Sequence, residues 1–183
     1  MKILYIHGFG SCGKGGSQKV EVLEELFPEV VAPTLPPKPT QALALLESLI
    51  DRETRLIGSS LGGFYALLLA DRHNLPAVLI NPSLKPWKTL KNRIGVNYRF
   101  CDGKPFYWKR KYLKELKSLK LNRDPAGQFL VLLQSGDDVL NYKKALKFFH
   151  PLPNSRVVVE FGGTHRFENL ADYQSMIKNF LTS

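Results

Sequence analysis

The chain has 183 residues, 44% hydrophobic and 23% charged, with a formal net charge of +10 at pH 7. This composition excludes a disordered or fibrous chain, and the length predicts one domain with a sizeable core. No apolar run approaches the roughly 20 residues of a membrane span or forms a signal-peptide core, so a cytoplasmic location is expected. The two cysteines, Cys12 and Cys101, lack metal or redox spacing and are expected to be free thiols.

Short apolar segments alternate with helical patterns along the chain. The predicted strands are 2–7, 30–35, 54–57, 77–81, 128–134 and 156–161, and the predicted helices are 17–27, 40–52, 64–70, 142–149 and 170–181. Because parallel neighbours need crossover helices, this order predicts an α/β fold with a mostly parallel, doubly wound sheet. Ligands bind such sheets at the carboxyl ends of the strands, so a site is expected among the residues that follow them.

The third predicted strand leads into a Gly-x-Ser-x-Gly pentapeptide, Gly58 to Gly62, which an apolar helix follows. In this strand–turn–helix setting the pattern is typical of a nucleophile elbow, a sharp turn that exposes the serine hydroxyl. The N-terminus of the following helix favours negative charge near the turn. The pattern predicts Ser60 as a nucleophile.

A serine nucleophile needs a base, usually an imidazole oriented by a carboxylate. His165 follows the last predicted strand in a glycine-rich loop, the position where this architecture carries its base. His73 and His150 are expected to be structural or exposed. His7 ends the first strand and is expected to shape the loop after it.

The acid is expected after the strand 128–134, where two aspartates are adjacent and only one can face the imidazole. Asp137 directly follows a glycine at the strand exit and is favoured; Asp138 would cap the next helix or remain solvated. The tetrahedral oxyanion also needs hydrogen-bond donors. The backbone N–H groups of Leu61, after the nucleophile, and Phe9, in the first glycine-rich loop, are predicted to supply them.

That first loop carries two rival signatures. Residues 8–13 match the dinucleotide fingerprint Gly-x-Gly-x-x-Gly, but the next strand ends at Leu35 without the expected acidic residue. Residues 8–14 match a phosphate-binding loop except that Gly15 replaces the Mg²⁺-binding Ser or Thr. Nucleotide binding stays an alternative, while the favoured interpretation includes no cofactor and no metal.

Five motifs together resemble the small bacterial YqiA/YcfP-type α/β-hydrolases, and the resemblance covers essentially the whole chain. The motifs are His7-Gly8-Phe9-Gly10-Ser11, residues 57–63, Asn81-Pro82-Ser83, residues 134–142 and residues 162–167. The resemblance implies the α/β-hydrolase fold and an esterase-like activity, with Ser60 as nucleophile, Asp137 as acid and His165 as base. The resemblance indicates the class of reaction better than it indicates the substrate.

Half of the basic residues are concentrated between Leu84 and Arg123, thirteen of 26 against two acidic ones, so this segment carries +11. Insertions at this place in the fold commonly form a cap, and we predict a single domain, 1–183, with a cap insertion at 84–123. Its aromatic and leucine residues are predicted to share one helical face: Trp108, Tyr112, Leu116 and Leu119. The basic side chains are either solvated or recognise an anionic ester or thioester. Docking on an anionic membrane is a weaker alternative, and no nucleic-acid partner is expected.

The sequence thus predicts a serine esterase or thioesterase with Ser60, Asp137 and His165 as triad and Phe9 and Leu61 at the oxyanion hole. Its partner would be a small ester or thioester. The alternative from another class is a catalytically silent α/β-hydrolase scaffold that binds an anionic partner through its basic cap.

Overall fold

Six parallel strands form the central sheet in the computed structural model, which describes residues 1–183. With a separate two-stranded hairpin, the strands are β1 (Lys2–Ile6), β2 (Val30–Val31), β3 (Thr54–Ser59), β4 (Pro76–Ile80), β5 (Gly95–Tyr98), β6 (Pro105–Trp108), β7 (Gln128–Gln134) and β8 (Ser155–Glu160). The order across the sheet is β2-β1-β3-β4-β7-β8, and all neighbours run parallel. The predicted fold class is confirmed.

Helices cover both faces of the sheet. They are α1 (Gln18–Leu26), α2 (Pro39–Ser48), α3 (Leu61–His73), α4 (Pro86–Thr89), α5 (Arg110–Ser118), α6 (Tyr142–Phe149) and α7 (Gln174–Thr182), with 3-10 turns at Lys91–Arg93 and Leu170–Tyr173. None of these helices is long and apolar enough to cross a membrane.

Both faces of the sheet are buried. Successive side chains of a strand point to opposite sides of the sheet, so each strand contributes to both cores. Leu56 and its neighbours pack with α2, α3, α5 and α6 in a core of 26 buried residues. Ile57 points the other way, into a core of 14 buried residues that includes α1 and α7. Two core layers around one sheet make the fold doubly wound.

Two local predictions differ from the structure. The second strand was expected over 30–35 but pairs only at Val30 and Val31, and Pro33, two residues later, has no N–H to donate to the ladder. Trp108 was predicted on a helical face but ends β6, one residue before the N-cap of α5. The division into a single domain with a cap at 84–123 stays a prediction.

The basic segment contains a hairpin that the sequence did not predict. Strands β5 and β6 pair antiparallel, with Val96 opposite Tyr107 and Tyr98 opposite Pro105. The hairpin is followed by α5, which buries Tyr112 and Leu116 in the core. The lysines and arginines of α5 lie outside the core, as its amphipathic pattern predicts.

A disulfide joins the hairpin turn to the loop after β1. Cys12 and Cys101 are bonded, with their Cα atoms 6.1 Å apart, which corrects the expectation of free thiols. Spacing arguments fail here because tertiary packing brings together two cysteines that are 89 positions apart in the sequence. Gly16 makes room for the cross-link, since a Cβ at this position would approach the Cβ atoms of both cysteines to 2.8 Å.

We expect this cross-link to stabilise the folded chain by constraining the unfolded one. A disulfide of this loop length contributes on the order of 2–4 kcal/mol. Cys101→Ser should therefore lower the midpoint of urea unfolding without reductant, whereas wild type and variant should nearly coincide in excess dithiothreitol. Thiol titration of the unfolded protein, purified without reductant, supplies the direct measurement; two free thiols per chain would contradict the assignment.

Candidate active site

Ser60 lies at the turn between β3 and α3, with φ 56° and ψ −116°, a region that few non-glycine residues adopt. The turn is held by backbone hydrogen bonds: the Ser60 N–H donates to Ile80 O at 3.0 Å and Ser83 N–H donates to Ser60 O at 3.0 Å. Gly62 packs directly on β1, because a Cβ there would lie 1.9 Å from the Ile6 carbonyl oxygen. These features are those of a nucleophile elbow.

The structure brings Ser60, His165 and Asp137 into one hydrogen-bonded chain. Nε2 of His165 lies 2.9 Å from Ser60 Oγ, and Nδ1 lies 2.8 Å from Asp137 Oδ2. Since a carboxylate only accepts, Nδ1 carries the proton and Nε2 accepts from the serine hydroxyl. The side chain of Asp137 is 1% exposed and that of His165 is 18% exposed, so the carboxylate is shielded while the imidazole remains accessible.

The two neighbouring aspartates have different partners. Oδ1 of Asp137 accepts the Val139 and Leu140 N–H groups at 2.9 and 2.7 Å, which fixes its other oxygen on the imidazole. Oδ1 of Asp138 accepts the backbone N–H of His165 at 3.3 Å. Asp138 does not cap α6, as had been considered, because the side chain of Asn141 occupies that position.

A buried amide network that the sequence analysis missed holds the loop that carries the imidazole. Gln134 Oε1 accepts the Thr164 N–H at 2.9 Å, and its Nε2 donates to Glu160 and Asn169 at 2.7 Å each. Gly163 must be glycine, because its φ is +71° and a Cβ would clash with the Gln134 amide at 2.1 Å. The motif residues 134–142 contain Gln134, but nothing in the sequence shows which atoms it contacts.

Glu160 and Asn81 extend this network to the ends of two neighbouring strands. Hydrogen bonds from Gln134 and then Asn169 lower the pKa of Glu160, against the opposing effect of burial. Asn81, at the end of β4 with φ 40°, accepts the Gln134 N–H at 2.9 Å and donates to Thr164 O at 3.2 Å. The network thus joins β4, β7 and β8 beneath the imidazole.

The loop after β1 lies against Ser60. A Cβ on Gly8 would be 3.3 Å from the Ser60 Cβ, so the loop backbone touches the serine. The Phe9 N–H makes no hydrogen bond to another backbone group. Leu61 opens α3, and its N–H has no intrahelical acceptor. Both amides predicted for the oxyanion hole are therefore free donors beside the serine.

His7 fixes this loop, as the sequence analysis expected. Its Nε2 accepts the Leu35 N–H at 2.9 Å, and Nδ1 donates to Gly8 O at 2.7 Å. Burial lowers the pKa of His7, outweighing the hydrogen bond to Gly8, and nearby Arg99 lowers it further. A neutral imidazole keeps Nε2 free to accept.

The remaining predicted residues lie elsewhere. His73 Nε2 is 2.5 Å from Glu47 on the surface, and His150 is exposed. The rest of the glycine-rich loop directs amides to protein acceptors: Ser11 to Gly8 O, Gly13 to Thr34 Oγ1, Lys14 to Ala32 O and Gly16 to Gly13 O. These bonds leave fewer free donors for a phosphate, which counts against a nucleotide-binding loop.

Two cavities meet at the Phe9 loop. A wide cleft of about 1140 Å³ contains Ser60 and His165 and has both basic and acidic side chains on its walls. A narrower cavity of about 400 Å³ lies on the other side of Phe9. Its lining combines two cations, Arg99 and Lys104, with a larger set of apolar residues that includes Leu35, Pro36, Pro37, Ala42, Leu61 and Phe106. Phe9 and Gly8 line both, so the two spaces share the loop that carries the predicted oxyanion donor.

Several solved structures share this architecture over nearly the whole chain. A monoacylglycerol lipase from Paleococcus ferrophilus superposes with a TM-score of 0.75 at 15% identity, covering 98% of this chain and 93% of that one. Est1E from Butyrivibrio proteoclasticus, with ferulic acid bound, has a TM-score of 0.71 at 16% identity, with coverages of 98% and 87%. At these identities the likeness shows the α/β-hydrolase fold.

Sequence relatives identify the family. YcfP proteins from Salmonella strains, among them typhimurium, are 26% identical to this chain over 189 residues, with 98% of both sequences covered. The model described as "Uncharacterised protein family (UPF0227)" matches residues 2–182. The resemblance drawn from the five motifs is thereby confirmed, and the chain belongs to the UPF0227 family of YcfP-type α/β-hydrolases.

Proposed function

We propose that this protein is a serine hydrolase that cleaves carboxylic esters or acyl thioesters through an acyl-enzyme. The observation that carries the proposal is the unbroken chain from Ser60 Oγ through His165 to Asp137, beside two free backbone amides. An esterase domain, a monoacylglycerol lipase and a serine hydrolase of the same fold support acyl chemistry at such a site.

In the first half-reaction, Ser60 Oγ attacks the acyl carbon while its proton passes to Nε2 of His165. The carbonyl oxygen becomes an oxyanion that accepts hydrogen bonds from the Phe9 and Leu61 N–H groups. Asp137 accepts from Nδ1 and stabilises the imidazolium. The tetrahedral intermediate then collapses, and the leaving alkoxide or thiolate takes the proton from Nε2.

In the second half-reaction, His165 Nε2 removes a proton from water, and the resulting hydroxide attacks the acyl carbon. The second intermediate releases the acid, and Ser60 Oγ recovers its proton from the imidazolium. The same two N–H groups would stabilise both intermediates, because both oxyanions form on the same carbonyl oxygen.

The apolar cavity is the natural place for the acyl group. It adjoins Phe9 and Leu61, whose amides would hold the carbonyl oxygen, whereas the wide cleft contains His165, which must protonate the leaving group. This division assigns an apolar acyl chain to the narrow cavity and the alcohol or thiol to the cleft. The sequence also suggested that the basic segment binds an anionic leaving group, and this stays a prediction.

Covalent labelling tests the nucleophile without knowledge of the substrate. An alkyl fluorophosphonate should bond to Ser60 as Oγ displaces fluoride, and mass spectrometry should locate the adduct. Ser60→Ala should abolish labelling and reduce ester turnover by roughly 10⁴- to 10⁶-fold. Ser59→Ala is the matched control and should still be labelled at Ser60. An unlabelled wild type would instead support a silent scaffold.

The acid is tested by an isosteric pair of substitutions. Asp137→Asn should reduce kcat by about 10⁴-fold, because an amide can donate to Nδ1 and favour the wrong tautomer. Asp138→Asn keeps an acceptor for the His165 backbone N–H and should change kcat less than about tenfold. Steady-state kinetics on a soluble ester measure both; equal losses in the two variants would refute the choice of Asp137.

Placing the acyl group in the narrow cavity predicts how kcat/KM depends on the length of the acyl chain. Burying a methylene is worth about 0.8 kcal/mol, so kcat/KM should rise about fourfold per methylene from acetyl to butyryl esters. Ala42→Phe fills the cavity and should remove this rise while acetyl ester turnover is retained, which also shows that the variant is folded. Ala126→Phe, at an exposed position, is the control. A butyryl preference that survives Ala42→Phe would place the acyl group elsewhere.

A further inference from the structure

The outward face of the β5–β6 hairpin is apolar and uncovered. Val96, Tyr98, Phe100 and Tyr107 are 59%, 64%, 75% and 53% exposed, and Pro105 is exposed beside them. Cross-strand pairing places Val96 next to Tyr107 and Tyr98 next to Pro105, so the residues form one surface. We call these five residues the hairpin outer face. A contiguous patch of this kind marks an interaction site more often than scattered apolar residues do.

The opposite face of the same hairpin is firmly packed. Phe106 and Trp108 contact Phe9 edge-on, with ring centroids 5.3 and 5.0 Å apart. The Phe100 N–H donates to Gly10 O at 2.8 Å, and the disulfide at Cys101 adds a covalent link. The hairpin outer face is therefore presented by an anchored element.

Basic residues lie close to the hairpin outer face along the chain. Exposed cations come before, within and after the hairpin: Lys91, Arg93, Lys104, Lys109, Arg110 and Lys111. The acidic residue of the hairpin turn, Asp102, accepts hydrogen bonds from Arg99 Nε and Nη2 at 3.0 and 2.6 Å and lies 3.8 Å from Lys104 Nζ. The surface thus combines exposed aromatic rings with an excess of positive charge.

We propose that the hairpin outer face docks this protein on an anionic lipid bilayer. Aromatic rings with a polar tip enter the headgroup boundary, and lysines and arginines around them are attracted to anionic lipids. A second copy of the chain is disfavoured as the occupant, because it would bring two segments of charge +11 together.

Docking would also place the active-site cleft at the lipid surface. Phe100 belongs to the hairpin outer face and lines the cleft that contains Ser60 and His165. Acyl esters carried in the bilayer could then enter the cleft directly, an extension that rests on the proposed hydrolase function. Lipid binding itself does not depend on that function.

Vesicle co-sedimentation tests the docking without any turnover. Full-length protein should bind vesicles of phosphatidylcholine with 30% phosphatidylglycerol, about tenfold or more tightly than phosphatidylcholine alone, and binding should weaken with salt. Tyr98→Ser with Tyr107→Ser should reduce the partition coefficient by about tenfold or more. Lys104→Gln with Lys109→Gln should reduce binding to the anionic vesicles alone, by about tenfold.

Phe161→Ser is the matched control, because Phe161 is 91% exposed but lies outside the hairpin. It should bind like wild type. Unfolding midpoints check that every variant is folded. Equal binding to neutral and anionic vesicles, or binding unaffected by the tyrosine substitutions, would overturn the proposal. So would a dimer, measured by sedimentation equilibrium, that the tyrosine substitutions dissociate. Failure of fluorophosphonate labelling would overturn the hydrolase proposal and leave the lipid measurement intact.

Discussion

The close contact between Gly62 and the end of β1 is the constraint on which the site depends. Because Gly62 has no Cβ, the first turn of α3 rests directly on the Ile6 carbonyl. This contact sets the distance between the elbow and the loop after β1, whose Gly8 backbone touches Ser60. A larger residue at either glycine would separate the serine from the Phe9 amide. The proposed oxyanion hole requires this close approach of the two backbones, which has no side chain between them.

A network of polar side chains positions the His165 imidazole beside Ser60. Gln134, Asn81 and Glu160 join the ends of three neighbouring strands to the loop that carries His165. Buried amides that satisfy one another in this way specify a single loop position, since moving the loop would leave several donors and acceptors unpaired. Asp137 adds the last restraint through two backbone N–H groups and the imidazole. The catalytic proposal thus relies on preorganisation, with little freedom left to the groups that would react.

The parallel sheet and the approach of the three triad residues to one another could be predicted from the sequence, for a physical reason. Apolar segments alternating with helical patterns predict a parallel sheet, and the carboxyl ends of its strands meet at one edge, so Ser60, Asp137 and His165 were placed near each other by topology alone. The choice between Asp137 and Asp138 rested on one glycine and on the family resemblance, because adjacent residues differ only in side-chain direction. The Cys12–Cys101 bond was missed because it depends on contact between segments 89 positions apart. The β5–β6 hairpin was missed because the residues of its two short strands alternate only weakly between apolar and polar.

The β5–β6 hairpin, which the sequence did not predict, connects the loop after β1 to the exposed aromatic residues of the basic segment. Its inner face packs Phe106 and Trp108 on Phe9, the residue whose N–H is proposed to bind the oxyanion. Its turn is bonded through Cys101 to the same loop, and its outer face exposes aromatic rings to the surroundings. Any partner that binds the hairpin outer face therefore acts on an element in direct contact with the loop after β1. The basic segment, whose side chains the sequence left as either solvated or substrate-binding, contributes Arg99, Lys104 and Phe106 to the wall of the narrow cavity.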